Sequence, residues 1–389
     1  MAGIVLKPRA RMLHGHDWVY ASEVLKTFGD PQPGGVISIK DGRDRLLGSA
    51  IYNPKSQIVA RRISHRRLTL DQDFLRRRLE RAIRLRRSAE ALPDVCRLVW
   101  SEADGLPGVV ADRYRDVIVL QTNTLAFDLL KNPIAFLLLE MLEASAVVER
   151  NDSAARISEG LPTSTGLLAG TAPGLSVVEL NGAKFQVDFL GGQKTGLYLD
   201  QSENARTIAG LCGGRSVLDA FSNQGGFALP CAASGALSVT AIESGSESVA
   251  RLRRNAALNR VAIEILHQDV FNALPELQRA GRRFDVIILD PPSFTRARGK
   301  INDALRGYRE LHRLAAPLLT PDGLLATFCC SHHVTEAEFL TSVAEGFFAA
   351  KRSAHIIQKL GQARDHPVAL NVPETSYLKG LLLAARPSI

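Results

Sequence analysis

The chain has 389 residues, 46% of them hydrophobic and 23% charged, which fits a folded protein of two or three domains and excludes a disordered one. Its longest apolar stretch, Ile134 to Leu142, is broken by Glu140 and is far shorter than the roughly 20 residues of a membrane span. There are 48 basic against 40 acidic residues, a net charge of +8, and only 11 of the 48 are lysine. An arginine-rich surplus suits a phosphate-bearing partner, although a genome that favours arginine codons gives the same bias. The N-terminus lacks an apolar signal core, so neither secretion nor a membrane is expected. The five cysteines, Cys96, Cys212, Cys231, Cys329 and Cys330, include no C-x-x-C spacing. That argues against a disulfide framework and a structural metal site, and for a reducing cytoplasm.

Residues 1–70 read as short strands and turns, the texture of a small β-barrel. Ile37 and Ile39 alternate with Ser38 and Lys40, and Asp41-Gly42 turns the chain back into Leu46-Leu47. Residues 71–90 predict a helix that begins near Asp71 and buries Leu75, Leu79, Ala82 and Ile83. Eleven arginines against four acids lie between Arg61 and Glu90. Such a run is either a solvated face or a phosphate-contacting surface; its density beside a barrel brings the second reading forward, through Arg61, Arg62, Arg66 and Arg67. Residues 71–185 form the expected central α+β domain, with a helix near Ala126–Ala144 and a turn-rich tail from Gly160 to Gly174.

From 186 to 389 strand, turn and helix repeat in order, the pattern of a parallel doubly wound sheet. Strands are predicted at Ser216–Ala220, Ser238–Glu243, Glu264–His267, Asp285–Leu289, Leu324–Cys329, His355–Leu360 and Tyr377–Ala385. In SVLDAFSNQGGFAL a strand runs into Asp219, then a loop with Asn223, Gly225 and Gly226, then a helix starting near Phe227. Glycines allow a backbone to approach a ligand closely, but the spacing is not G-x-G-x-x-G, which disfavours a nicotinamide dehydrogenase. Glu243 ends the next strand, where an acid can hold ribose hydroxyls. Asp269 follows the third, placed to meet an adenine amino group. Each acid alone reads as a cap or loop residue; three at successive strand ends point to an adenosyl cofactor. In FDVIILDPPSF a buried strand delivers Asp290 to the same edge, ahead of two stiffening prolines. The next strand ends in Cys329-Cys330-Ser331. Four of the cysteines read as small buried hydrophobes, whereas Cys330 sits where the strand opens into a crevice at the carboxyl edge, a place that suits a thiolate nucleophile.

Over nearly its full length the chain resembles bacterial class I methyltransferases that make 5-methylcytidine in large-subunit ribosomal RNA and carry an N-terminal PUA domain. The matching segments are LHGHDWVYASEV (13–24), YNPKSQIVARRI (52–63), QKTGLYLDQSENAR (193–206), DAFSNQGGFAL (219–229), DPPSF (290–294), CCS (329–331), DHP (365–367) and YLKG (377–380). The resemblance implies a Rossmann-like α/β class I methyltransferase sheet of seven strands with the last antiparallel, behind a PUA-like barrel (1–70) and the central domain (71–185). It implies S-adenosylmethionine held by the segments around Asp219, Phe221, Asn223, Gly225, Gly226, Phe227, Glu243, Ser244, Asp269, Val270, Asp290 and Gln201, with Cys330 as nucleophile and Asp290 assisting. Many RNA cytosine-5 methyltransferases place a cysteine directly after Asp-Pro-Pro. Here Ser293 stands there, which leaves one catalytic cysteine and the product-releasing residue unassigned.

The expected chemistry is addition of the Cys330 thiolate to cytosine carbon 6, with Asp290 hydrogen-bonded to ring N3. The expected partner is 23S ribosomal RNA at a loop or unstacked cytosine, with a homodimer compatible with the sequence. The rivals are a guanine or adenine nitrogen methyltransferase, which needs no cysteine, a 5-methyluridine enzyme, which would use the same one, and a non-catalytic RNA-binding assembly factor.

Overall fold

A computed structural model describes residues 2–87, 91–190, 196–295 and 298–386. The chain divides into two compact units, one of Met1–Val178, Val187–Leu199 and Arg364–Ser376, the other of Glu179–Gln186, Asp200–Ala363 and Tyr377–Ile389. The end of the predicted basic helix (88–90) and the start of the QKTGLYLDQSENAR segment (193–195) lie outside the described residues.

The first unit opens with a six-stranded sheet whose spatial order is Trp18–Tyr20, Ile58–Ser64, Leu46–Tyr52, Val36–Lys40, Gly3–Leu6, Val24–Phe28. The pleat turns Ile37 and Ile39 inward onto Ile4, Leu6, Ala50 and Val59. The Asp41-Gly42 turn forms as expected. The Asp41 carboxylate accepts from the Arg43 and Arg45 backbone N–H groups and from the Arg45 side chain. A five-stranded sheet follows, running from Val95–Trp100 to Ser164–Gly170. The basic helix spans Gln72–Arg86, capped by the Asp71 carboxylate on Phe74 N–H at 2.8 Å. Its Phe74, Leu75, Leu79, Ala82 and Ile83 pack into the core of that sheet.

The supposed turn-rich tail contains the strand Ser164–Gly170, and the helix near 126–144 is two helices, Leu125–Leu129 and Lys131–Leu142. That strand lies at a sheet edge with mostly solvent-facing side chains, so burial imposes little apolar pattern on its sequence.

The second unit holds the seven-stranded sheet: β1 (Ser216–Ala220), β2 (Ser238–Glu243), β3 (Glu264–His267), β4 (Phe284–Leu289), β5 (Leu319–Cys329), β6 (Ala354–Gly361) and β7 (Lys379–Ala385). Its order is β3-β2-β1-β4-β5-β7-β6, parallel except for β7, which runs antiparallel to both β5 and β6. Helices α1 (Ala228–Ala233), α2 (Ser246–Asn259), α3 (Val270–Arg279), α4 (Ile301–Ala315) and α5 (Glu336–Ala349) link or flank these strands. The near-continuous burial of β1 and β4 is what a sheet covered on both faces requires. β5 begins five residues earlier than predicted. Leu319 pairs with Phe284, and the ladder shifts register before Val286–Leu324, across Pro321-Asp322-Gly323, which in the sequence reads as a turn. No helix among the described residues is long and apolar enough to cross a membrane.

Candidate active site

Because β1, β2, β4 and β5 run parallel, their carboxyl ends fall on one edge of the sheet, the usual ligand edge of open α/β folds. After β1 the backbone coils tightly, with Phe221 (φ 66°), Asn223 (φ 50°) and Gly225 (φ 93°) in the left-handed region. A Cβ at Gly225 would lie 2.7 Å from Leu252 Cδ1, so the fold itself needs glycine there. At Gly226 an added Cβ would meet nothing within 4 Å. Packing therefore makes no demand at Gly226, and the space suits close approach of a ligand.

Asp219 does not point into solvent. It is fully buried, and its Oδ2 accepts from Ser222 Oγ (2.7 Å) and from Ala228 N–H at the start of α1 (3.0 Å). It thus clamps the loop. Its Oδ1 is buried with no hydrogen-bond partner. Burial pushes its pKa from 3.8 up to about 7, helped by the nearby Glu243 charge and opposed by the Ser222 and Ala228 hydrogen bonds.

A folded pKa above the unfolded one means that the native state holds an extra proton between about pH 4 and 7. The associated stability is present below pH 3.8 and lost as pH rises through 7. From pH 5 to pH 8 this amounts to about 3 kcal/mol. Asp219→Asn stays neutral throughout, so denaturant unfolding without ligand should show the variant gaining about that much on wild type over this range. Identical pH dependence of the two proteins would mean that the Asp219 carboxyl is ionised throughout.

Glu243, half-buried at the end of β2, accepts from Asn223 N–H (2.8 Å) and Gly245 N–H (2.7 Å), tying the loop after β1 to the turn after β2. Each oxygen keeps lone-pair capacity for a hydroxyl group. Ser244 beside it is exposed. Asp269 is also exposed and caps α3 by accepting from Phe271 N–H at 2.9 Å. Val270 is buried in the core, and Phe227 stacks on Phe328 with ring centroids 5.5 Å apart.

Asp290 leaves β4 half-buried, and its Oδ1 accepts from Gln201 Nε2 at 3.1 Å. Gln201 is held in turn by Asn204, whose amide also donates to the Gly361 carbonyl. The LYLDQ segment thereby meets the Asp-Pro-Pro loop. Of the five cysteines only Cys330 is partly exposed. Its thiol lies 3.9 Å from the Pro291 carbonyl, so it adjoins the same loop, while Cys329 faces the core.

Three supports around Cys330 were invisible in the sequence. Tyr308 OH donates to Ser331 Oγ (3.2 Å), which donates to Ser293 Oγ (3.0 Å), which donates to the Thr295 carbonyl (2.7 Å). That relay locks the turn after Cys330 to the Asp-Pro-Pro loop. Ser293, directly after Asp-Pro-Pro, is therefore a structural hydroxyl. Lys379 donates to the carbonyls of Ser331 (2.7 Å) and Val334 (3.0 Å); burial lowers its pKa, and the Cys329 and Cys330 thiols oppose that. The exposed His332 ring lies 5.7 Å from the Tyr377 ring, whose hydroxyl donates to Asp200. The only advance signal was the YLKG segment itself.

Arg61 and Arg62, read from the sequence as phosphate contacts, are engaged internally. Arg61 pairs with Glu159 (2.7 Å) and Glu102 (3.5 Å), and Arg62, nearly buried, pairs with Asp17 (2.7 Å). Arg66 and Arg67 are exposed.

Residues 150–384 match the family model of an S-adenosylmethionine-dependent methyltransferase, and residues 4–65 match a PUA-like domain. Ribosomal RNA large subunit methyltransferase I of Pseudoalteromonas atlantica is 36% identical over 377 residues, 95% of each chain. The protein of the same name from Shewanella amazonensis is 37% identical, over 97% of this chain and 98% of that one. A solved structure from Streptococcus mutans, described as a SAM-dependent methyltransferase, has TM-score 0.83 at 20% identity and covers 99% of this chain and 100% of its own. Another, of a methyltransferase complexed with SAH, has TM-score 0.84 at 20% identity over the same shares.

Proposed function

The chain belongs to the S-adenosylmethionine-dependent methyltransferase family that includes the ribosomal RNA large subunit methyltransferases I, and we propose that it forms 5-methylcytidine in 23S ribosomal RNA through a cysteine adduct of the target base. The observation that carries this reading is the partly exposed Cys330 thiol against the Asp-Pro-Pro loop. Nitrogen methylation has no use for a thiol there.

S-adenosylmethionine, when bound, supplies an electrophilic methyl group. The open space at Gly226 and the Glu243 carboxylate, whose oxygens can accept from hydroxyl groups, suit it, and the buried Asp219 holds the loop between them in place. Glu243 would hold the ribose hydroxyls, with Phe221, Asn223 and Ser244 around it and Asp269 and Val270 toward the adenine. Glu243→Ala should weaken cofactor binding by about 1.5–3 kcal/mol, through loss of charged hydrogen bonds. Unchanged affinity by calorimetry would remove Glu243 from the site.

On the base, the Cys330 thiolate forms a bond to carbon 6 and the ring electrons shift toward N3. Asp290, protonated or sharing a proton, stabilises that charge, and Gln201 fixes its carboxylate. Carbon 5 thereby becomes the nucleophile. After it is methylated, loss of its proton expels Cys330 and restores the ring. The target must be unstacked, which favours loop or single-stranded RNA. The finer reading belongs to the same proposal: a homodimeric cytoplasmic enzyme acting on a loop cytosine, with an RNA-gripping barrel at 1–70, a central domain carrying the basic helix at 71–185 and a methyltransferase domain at 186–389.

The test is incubation with ribosomal RNA from cells lacking this chain, followed by nucleoside mass spectrometry. New 5-methylcytidine is expected. A methylated purine or 5-methyluridine instead would overturn the assignment.

A further inference from the structure

Seven arginines of the run from 61 to 87 fall into two sets once the fold is known. Arg61, Arg62, Arg76 and Arg86 each meet a carboxylate: Glu159, Asp17, Glu140 and Asp104 respectively. Arg77, Arg78 and Arg81 form no ion pair among the described residues. They share the wall of one cavity of about 280 Å3 with Ser64, Leu68 and Phe74. Within it Arg78 is fixed. Its guanidinium lies over the Phe74 ring, 5.1 Å from the centroid, and donates to the Ile63 carbonyl at 2.8 Å. Arg77 and Arg81 are exposed, one helical turn apart on the same face. Burial and the Arg81 charge disfavour the Arg78 cation, and the charge of Asp17, which pairs with Arg62, opposes them.

Arg78 and Arg81 repel one another at this open cavity, and no carboxylate forms an ion pair with Arg77, Arg78 or Arg81 among the described residues. A planar donor fork anchored on an aromatic ring is well suited to an anion with tetrahedrally disposed oxygens. The geometry points to a phosphodiester-binding site at this cavity, formed by Arg77, Arg78 and Arg81, that takes the backbone of the RNA substrate. This rests on the RNA reading above and moves the grip from Arg61 and Arg62 to the helix that follows. Such a contact positions the strand and reads no sequence.

The test uses the full chain, a fluorescent large-subunit ribosomal RNA fragment and heparin as a phosphate-free polyanion. Arg77→Ala/Arg81→Ala should flatten the slope of log affinity against log salt by about one unit for each phosphate the variant no longer neutralises. The KM for RNA should rise with kcat kept, whereas Arg43→Ala, in the exposed turn after Asp41, should change neither. Steep salt dependence in wild type with the same slope in the double variant overturns the site and leaves the RNA reading standing. Absence of salt-dependent RNA binding in wild type overturns both. Equal weakening of heparin and RNA binding overturns the phosphodiester assignment in favour of a general anion patch. Weakening confined to RNA supports it.

Discussion

Cys330→Ala is expected to abolish methyl transfer while S-adenosylmethionine affinity stays within about twofold of wild type. The two halves separate because the thiol follows β5, whereas the proposed cofactor residues lie mainly on the loops after β1, β2 and β3, so removing the thiol takes away none of the proposed cofactor contacts. Without the thiolate, carbon 5 of cytosine is not activated, so the loss is of the chemical step and not of a fraction of it. Cys329→Ala is the internal control. That side chain is fully buried in the main core of the second unit; truncating it costs about 1–2 kcal/mol of stability and leaves turnover in place. Calorimetry with the cofactor and a methyl-transfer assay on the same preparations separate the outcomes. Activity retained in Cys330→Ala would remove the thiol from the mechanism.

Asp290→Ala carries the second large effect. If Asp290 stabilises charge developing at ring N3, its removal should lower kcat by about 100–1000-fold, the scale of losing one preorganised donor at a developing anion. Gln201→Ala should fall in the same direction by less, because Gln201 reaches the base only by holding Asp290 Oδ1 at 3.1 Å. A single-turnover assay at saturating cofactor reads both. Equal losses in the two variants, or a rise in KM alone, would make Asp290 a binding group and not a participant in the chemistry.

The seven-stranded sheet was legible because each strand is a short apolar run, several with an acid or cysteine at the carboxyl end, a local pattern that burial on both faces enforces. Asp219, Glu243, Asp290 and Cys330 could be placed along that edge from strand order alone. What each side chain does with its neighbours could not. Asp219 reads as a ligand-facing acid, yet it is buried and clamps α1. Asp269 reads as an adenine contact, and its carboxylate caps α3. Arg61 reads as a free cation, but Glu159, 98 residues further along, neutralises it. The Tyr308–Ser331–Ser293 relay and Lys379 join segments that only the tertiary fold brings together. Long-range pairing leaves no periodic trace in a sequence, so beyond the YLKG segment these interactions had no signal to find.

The most direct measurement is mechanism-based trapping. Large-subunit RNA carrying 5-fluorocytosine at the target, incubated with enzyme and S-adenosylmethionine, presents a fluorine that cannot be removed as a proton is, so elimination of the cysteine is blocked. The expected result is a denaturation-resistant protein–RNA adduct whose peptide maps by mass spectrometry to Cys330, present in Cys329→Ala and absent in Cys330→Ala. An adduct that persists in Cys330→Ala, or no adduct in an enzyme that still methylates unmodified RNA, would contradict a cysteine–carbon 6 intermediate at Cys330.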